Sequence, residues 1–245
     1  MPPPYAVIQT PPGSWDDIFD RQAIEMAISH NMFIRGLNAI YFHAPNVREG
    51  QVQAFAFFCN SLLGLIHHHH HMEEEIIFPL YEEKLGAGAM EHNVQDHHAF
   101  KAGLEDLETY IQDIRAGRAT YDGKLVTEKL DAFADGLVQH LNDELPTLES
   151  SKLRAKFSKK DLEGLAASLE KRIMKEVSLT ESLPPGLVLH DRTTAPQFPP
   201  LPKPILWLTK YGLYHIHSDA WAFGPCDVHG TLKPGFSNHG PVAAA

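Results

Sequence analysis

Four amphipathic segments in the first 150 residues carry histidine on their apolar faces. Apolar residues recur there at alternating three- and four-residue steps, which is typical of helices that bury one side. The predicted helices cover residues 14–43, 48–85, 89–116 and 124–150. Because the connections between these long helices are short, consecutive helices are expected to be antiparallel neighbours. The pattern therefore predicts an all-α fold, an up-down-up-down four-helix bundle.

The histidines and glutamates on these apolar faces form one set, which consists of His30, His69, Glu73, His97, His140 and Glu144. A single histidine on such a face is ordinarily a core residue held by hydrogen bonds. Two buried carboxylates without partners would cost much of a net stability of about 5–15 kcal/mol. No lysine or arginine lies on the stripes near them, so we expect bound cations between the helices.

The spacing of the two glutamates favours a site for two metal ions. Glu73 follows His69, and Glu144 follows His140, by four residues, which places each pair one turn apart on the same helix face, about 6 Å along the axis. Six imidazole and carboxylate ligands suit a dinuclear site with metals about 3.5 to 4 Å apart. Imidazole and carboxylate ligands without thiolate suit iron, manganese or zinc, and open coordination positions would favour oxygen chemistry at iron.

His69 belongs to a run of five histidines, residues 67–71, and this run leaves a second register open. His70 and Glu74 lie on the neighbouring stripe of the same helix, together with several apolar residues. The alternative ligand pair is therefore His70 and Glu74. The other histidines of the run are predicted to be solvated or to lie behind the ligands.

The chain after the bundle is predicted to form one more helix and an extended tail. Ser158 and Asp161 form a capping box for a fifth helix from residue 159 to about 179. A proline-rich connection follows, and the apolar residues after it, including Trp207 and Trp221, are expected to pack back on the bundle. The chain is thus divided into a metal-binding bundle, residues 1–151, and an additional helix with a C-terminal extension, residues 152–245.

The tail also contains His215 and His217, with Asp219 nearby. A separate mononuclear metal site is one interpretation of these residues. Because an isolated His-x-His pair is a weak motif, packing or hydrogen bonding is the favoured interpretation.

Charge and composition exclude several classes of partner. Residues 1–151 contain nine basic and 23 acidic residues, a net charge of −14, whereas residues 152–245 contain twelve and eight, a net charge of +4. The acidic body argues against nucleic acid as a partner. The sequence has no apolar run long enough for a membrane helix and no signal-peptide pattern. We therefore expect a cytoplasmic protein with no membrane partner.

These motifs resemble the hemerythrin-like, HHE cation-binding domain family over roughly residues 14–150. The resemblance rests on SHNMF around His30, HHHMEEEIIFP from His69, DHHAF around His97, and HLNDE from His140 to Glu144. The tail is similar to the C-terminal extension of fungal members. The resemblance implies a non-haem diiron site bridged by the two glutamates, with the four histidines as end ligands and an open position where dioxygen can bind.

One position departs from the oxygen-carrying members of that family. Those members usually have two histidines four residues apart on the third helix, and Asn93 occupies the earlier position here. In this respect the ligand set is more similar to the variant domains linked to iron sensing or oxidative chemistry.

Three functions remain open on the sequence alone. The first is a metal-binding module that binds dioxygen or senses iron without transforming a substrate. The second is an oxygen-dependent diiron oxidoreductase acting on a small apolar molecule. The third is a scaffold whose inner polar residues are satisfied without metal, a hypothesis that the cost of two buried glutamates disfavours. Whether the protein is an enzyme therefore stays open.

Overall fold

The computed structural model describes residues 4–239, and helices make up most of that length. The α-helices are α1 Ile18–His43, α2 Val52–Met72, α3 Phe78–Leu85, α4 Glu91–Arg115, α5 Gly123–Asp131, α6 Ala134–Asp143, α7 Ser150–Lys156, α8 Lys159–Glu176, α9 Pro185–Val188, α10 Lys203–Tyr211 and α11 Ser218–Trp221. Within residues 4–239 no extended β-sheet forms, and Cys226 and Leu232 make an isolated antiparallel bridge. The all-α prediction is confirmed.

The first arm of the bundle is α1, which begins later than predicted. Its N-cap is Asp17, whose side chain accepts a hydrogen bond from the backbone N–H of Phe19, so the helix begins at Ile18 and not near residue 14. An aspartate at this position satisfies an otherwise unpaired N–H and complements the helix dipole. The helix ends at His43, directly before a 3₁₀ turn that contains Pro45.

The second arm is not a uniform α-helix. α2 is followed by a turn of π-helix, Glu73–Ile77, and then by α3, whose second residue is Pro79. A π-helix places one extra residue in a turn and often occurs at functional sites. The prediction of one helix over residues 48–85 is therefore right in extent, but it misses the π-helical turn, which changes the direction of the side chains that follow it.

The third and fourth arms are α4 and the pair α5 and α6. The fourth arm is broken between Asp131 and Ala134, and α6 ends at Asp143, earlier than the predicted residue 150. A 3₁₀ turn, Leu145–Leu148, replaces its last turn, because Pro146 has no N–H to donate along an α-helix. α4 packs against α2 and α6, and α1 contacts the same two helices. The predicted four-helix bundle is confirmed.

The interior of the bundle contains two apolar clusters. The larger one includes Leu37, Leu62 and Leu107, and the smaller one includes Met26, Tyr81 and Leu165. In the larger cluster the Leu62 side chain of α2 packs against Gly36 of α1, where an added Cβ atom would lie 2.5 Å from Cδ1 of Leu62. The lack of a side chain at Gly36 thus leaves room for Leu62 between the two helices.

The C-terminal part packs on the bundle in places. α8 has the predicted capping box of Ser158 and Asp161. α7 runs across residue 151, the predicted boundary between the two domains, and that division of the chain stays a prediction. In the tail, Trp221 and Phe223 are buried in the larger apolar cluster. No helix of the described part of the chain is long and apolar enough to span a bilayer.

The prediction that the apolar residues of the tail are buried is wrong for one side of α10. Trp207, Leu208 and Tyr211 are exposed, with Trp207 at 63%, whereas Leu213 in the following turn is half-buried. Apolar periodicity predicts a helix with one apolar side but not whether another part of the chain covers that side.

Candidate metal centre

The six predicted ligands lie in one layer of the bundle, between the two apolar clusters. Each arm contributes one or two of these side chains, and a seventh, His70, joins them from α2. All seven are buried except His69, whose side chain is 17% exposed. The bundle thus contains a polar layer that divides its apolar core in two.

The side chains of this layer form two groups, each with four ligand atoms within 4.8 Å of one another. The first group consists of His70, Glu73, His97 and His140, and the second consists of His30, His69, Glu73 and Glu144. Glu73 belongs to both groups, as expected for a carboxylate that can bridge two ions. The assignment of these side chains as ligands nevertheless stays a prediction.

The inward-facing nitrogens meet at short distances. Nε2 of His30 lies 3.1 Å from Nε2 of His69, and Nε2 of His97 lies 3.0 Å from Nε2 of His140. Glu73 approaches both pairs, with Oε1 2.8 Å from Nε2 of His69 and Oε2 3.5 Å from Nε2 of His97. Four imidazoles and a carboxylate therefore converge on the same small volume.

The hydrogen bonds of the outer ring nitrogen, Nδ1, determine the tautomer of two of these imidazoles. Nδ1 of His30 donates to the carbonyl oxygen of Leu141 at 2.7 Å, and Nδ1 of His97 donates to Oε1 of Glu74, also at 2.7 Å. A neutral imidazole that donates through Nδ1 presents a lone pair at Nε2. In that neutral form the inward Nε2 of each ring carries a lone pair, which is what binds a metal ion.

Burial keeps other histidines of the layer neutral. It lowers the pKa of His69 to about 4 and that of His140 to about 3. Burial lowers the pKa of His70 well below its usual range, and repulsion from a proton on any neighbouring imidazole lowers it further. At neutral pH these rings are therefore uncharged and have lone pairs available for a cation.

The two glutamates fit a bound cation for a different reason. Within the described chain, none of the four carboxylate oxygens of Glu73 and Glu144 receives a hydrogen bond of good geometry. Burial and the nearby Glu144 carboxylate raise the pKa of Glu73 well above its usual range. Two buried carboxylates without donors are costly unless positive charge lies between them. The donor set thus fits a pair of metal ions.

His70 is the site residue that the preferred register missed. On the second arm Leu63, Ile66 and His70 are buried, whereas Leu65 and His69 are only half-buried. The core face of α2 is therefore centred on the alternative stripe, and the predicted stripe lies at its edge. Because Glu73 is three residues after His70 and four after His69, it can reach both rings. Glu74 faces the outer nitrogen of His97 and belongs to neither group.

Aromatic rings surround the polar layer. Phe33 packs edge-on against His69 with ring centroids 5.0 Å apart. Phe78 stacks on His97 at 5.6 Å, and Phe100 contacts His70 at 5.0 Å. These rings make part of the surroundings of the polar layer apolar, and the partly exposed His69 marks the side closest to solvent.

The histidines of the tail do not join this centre. His217 packs against Phe57 with ring centroids 4.1 Å apart, and His215 is exposed. Within residues 4–239 neither belongs to a group of three potential ligands. These positions favour the packing interpretation of His217 over a mononuclear site.

Comparisons with known proteins identify the family of this chain. The hemerythrin HHE cation-binding domain family matches residues 25–145, the segment that contains the candidate ligands. A protein named Dimeric xanthone biosynthesis cluster protein R11, from Cryptosporiopsis sp. (strain 8999), is 30% identical over 239 residues, which cover 94% of this chain and 89% of that protein. No solved structure matches the chain. The chain therefore belongs to the hemerythrin HHE cation-binding domain family, and its bundle is a metal-binding one.

Proposed function

We propose that the bundle holds two iron ions and that the protein binds or reacts with dioxygen. The ligands would be His30, His69, Glu73, His97, His140 and Glu144, with His70 as a seventh. The observation that carries the proposal is the shared position of Glu73, whose two oxygens approach histidines of both groups. Iron, when bound there, supplies the redox chemistry by which dioxygen is bound or reduced.

The protein's own residues prepare this centre. The contacts of His30 and His97 through Nδ1 hold both rings with Nε2 directed inward, so little reorganisation accompanies metal binding. Glu73 and Glu144 supply negative charge that balances the ions. The site residues are buried except for His69, and a low-dielectric surrounding would strengthen electrostatic attraction between ligands and ions.

A second candidate is an oxidoreductase that uses the same centre to oxidise a small apolar metabolite. Two observations favour it: the aromatic rings around the site, and the name of the relative from a dimeric xanthone biosynthesis cluster. Aromatic side chains next to the centre would make favourable contacts with an aromatic metabolite. The carrier or sensor function and the oxidase function share the metal centre and differ in whether a substrate is consumed.

The experiment that tests the proposal is anaerobic loading with ferrous iron. Iron is counted per chain, and the optical spectrum is recorded before and after oxygen is admitted. We expect two ions per chain and a new absorption band after oxygen. A stable band that disappears on removal of oxygen supports a carrier, and a band that decays supports an oxidase.

A matched pair of variants makes the test specific. His97→Ala should reduce the iron content, whereas His98→Ala, which changes the exposed neighbour, should not. Zero or one ion in the wild-type protein, or equal iron content in the two variants, contradicts the proposed centre.

A further inference from the structure

The π-helical turn places a second carboxylate, that of Glu74, on the outer side of His97. Oε1 of Glu74 lies 2.7 Å from Nδ1 of His97. Nε2 of the same ring faces the opposite way, 3.0 Å from Nε2 of His140. Because the two nitrogens are on different edges of the imidazole, Glu74 contacts the ring from behind and does not enter the ligand group.

His97 differs in this respect from the other histidines of the layer. Nδ1 of His30 donates to a neutral backbone carbonyl, that of Leu141. Nδ1 of His140 is 3.6 Å from the nearest oxygen of Asp96 and, within the described chain, has no hydrogen-bond partner. A charged acceptor at hydrogen-bonding distance thus serves one ring of the group formed by His70, Glu73, His97 and His140.

A carboxylate behind an imidazole affects the metal on its other side. It fixes the tautomer and the orientation of the ring, and it makes the inward nitrogen a stronger electron-pair donor to a metal ion. Such a charge-assisted hydrogen bond is also stronger than one to a neutral carbonyl. The Glu74 side chain is 41% exposed, so its charge remains hydrated and costs little to keep.

We propose that Glu74 is a positioning residue that tightens metal binding at the group formed by His70, Glu73, His97 and His140. The inference rests on the proposed function, because it needs metal in the bundle. It makes the two metal positions unequal: the one served by His97 depends on Glu74, and the one served by His30, His69 and Glu144 does not.

The test compares Glu74→Ala and Glu74→Gln with Glu75→Ala. Glu75 is the exposed neighbour in the same π-helical turn. Glu75→Ala therefore removes one negative charge from the same turn and leaves the contact between Glu74 and His97 in place. Wild-type and variant proteins are loaded anaerobically with ferrous iron, and a chromogenic chelator is added in steps. Circular dichroism of the metal-free proteins checks that all of them are folded.

We expect one of the two ions to be released from Glu74→Ala at a lower chelator concentration, with an affinity reduced about 10- to 100-fold. Glu74→Gln should lie between this variant and the wild type, because its amide oxygen accepts the hydrogen bond but has no charge. Glu75→Ala should match the wild type. An equal effect of the Glu74 and Glu75 variants, or equal weakening of both ions, overturns the inference.

A second readout reports on His97 itself. In the zinc-loaded protein, the Nδ1 proton of His97 should give a low-field NMR resonance that is retained in Glu75→Ala and lost in Glu74→Ala. Persistence of that resonance in Glu74→Ala overturns the inference even if the affinity changes. Failure of the wild-type protein to bind two ions instead refutes the proposed function, which separates the two results.

Discussion

Replacing Glu73 by glutamine should uncouple the stability of the bundle from metal. Glu73 is fully buried and belongs to both ligand groups. Glutamine preserves the size of the side chain but cannot supply the anionic oxygens that two cations would share. We therefore expect Glu73→Gln to remain folded without metal and to lose binding at both positions.

The size of the effect follows from linkage between binding and folding. Each independent site stabilises the folded protein by about 2.7 kcal/mol when the free ion is at about a hundred times its Kd. Two sites then add about 5 kcal/mol. For a chain of 245 residues, each kcal/mol raises the Tm by about 2–4 °C, so wild-type protein should gain about 10–20 °C on loading.

The assay is thermal unfolding under anaerobic conditions, with and without ferrous iron. Glu73→Gln should show little gain from iron, and its metal-free Tm should equal or exceed that of the metal-free wild type, because glutamine removes the cost of burying an ionisable side chain whose charged form burial disfavours. Glu75→Gln, a change at an exposed neighbour, should behave as the wild type does. An unchanged gain in Glu73→Gln would refute the argument that this carboxylate serves both positions.

Other predictions concern stability. Trp221→Ala should cost about 3–5 kcal/mol in denaturant unfolding without changing the metal content, whereas Trp207→Ala should change stability by less than about 0.5 kcal/mol; equal costs would contradict the packing of the tail. Gly36→Ala should cost about 1–3 kcal/mol, because its Cβ would lie 2.5 Å from Leu62, and a neutral effect would mean that α1 and α2 separate easily. Burial lowers the pKa of His190 from 6.5 to about 4. The unfolded chain therefore takes up a proton first as the pH falls, and stability should drop between about pH 6.5 and 4; His190→Gln should show a smaller drop in urea titrations at several pH values.

The bundle and most of its candidate centre could be predicted because their signals are local. Helical periodicity depends on the spacing of apolar residues along the chain, and His30, His97 and His140 lie on stripes that the structure also buries. A carboxylate on such a stripe, such as Glu144, is informative because an unpaired buried charge is costly. These inferences need no knowledge of how the helices are connected.

The features that the sequence does not predict depend on contacts between helices or on irregular geometry within one helix. Each predicted stripe assumes a constant helical period, whereas the second arm changes its period at residues 73–77. A single stripe also takes one residue per turn, so the preferred register includes His69 and omits His70, although Glu73 can reach both rings. The exposure of Trp207 could not be predicted, because the pattern of apolar residues does not show which surfaces are covered by other parts of the chain.

The π-helical turn also limits how the length of the chain can change. His70 lies before it and Tyr81 after it, and both are buried, one in the polar layer and the other in the smaller apolar cluster. Removing one residue from the turn would rotate everything after it by about 100° relative to α2. Either the ligand layer or the packing of α3 would then be lost. Insertions and deletions should therefore be tolerated in the connection between α3 and α4, but not between His70 and Phe78.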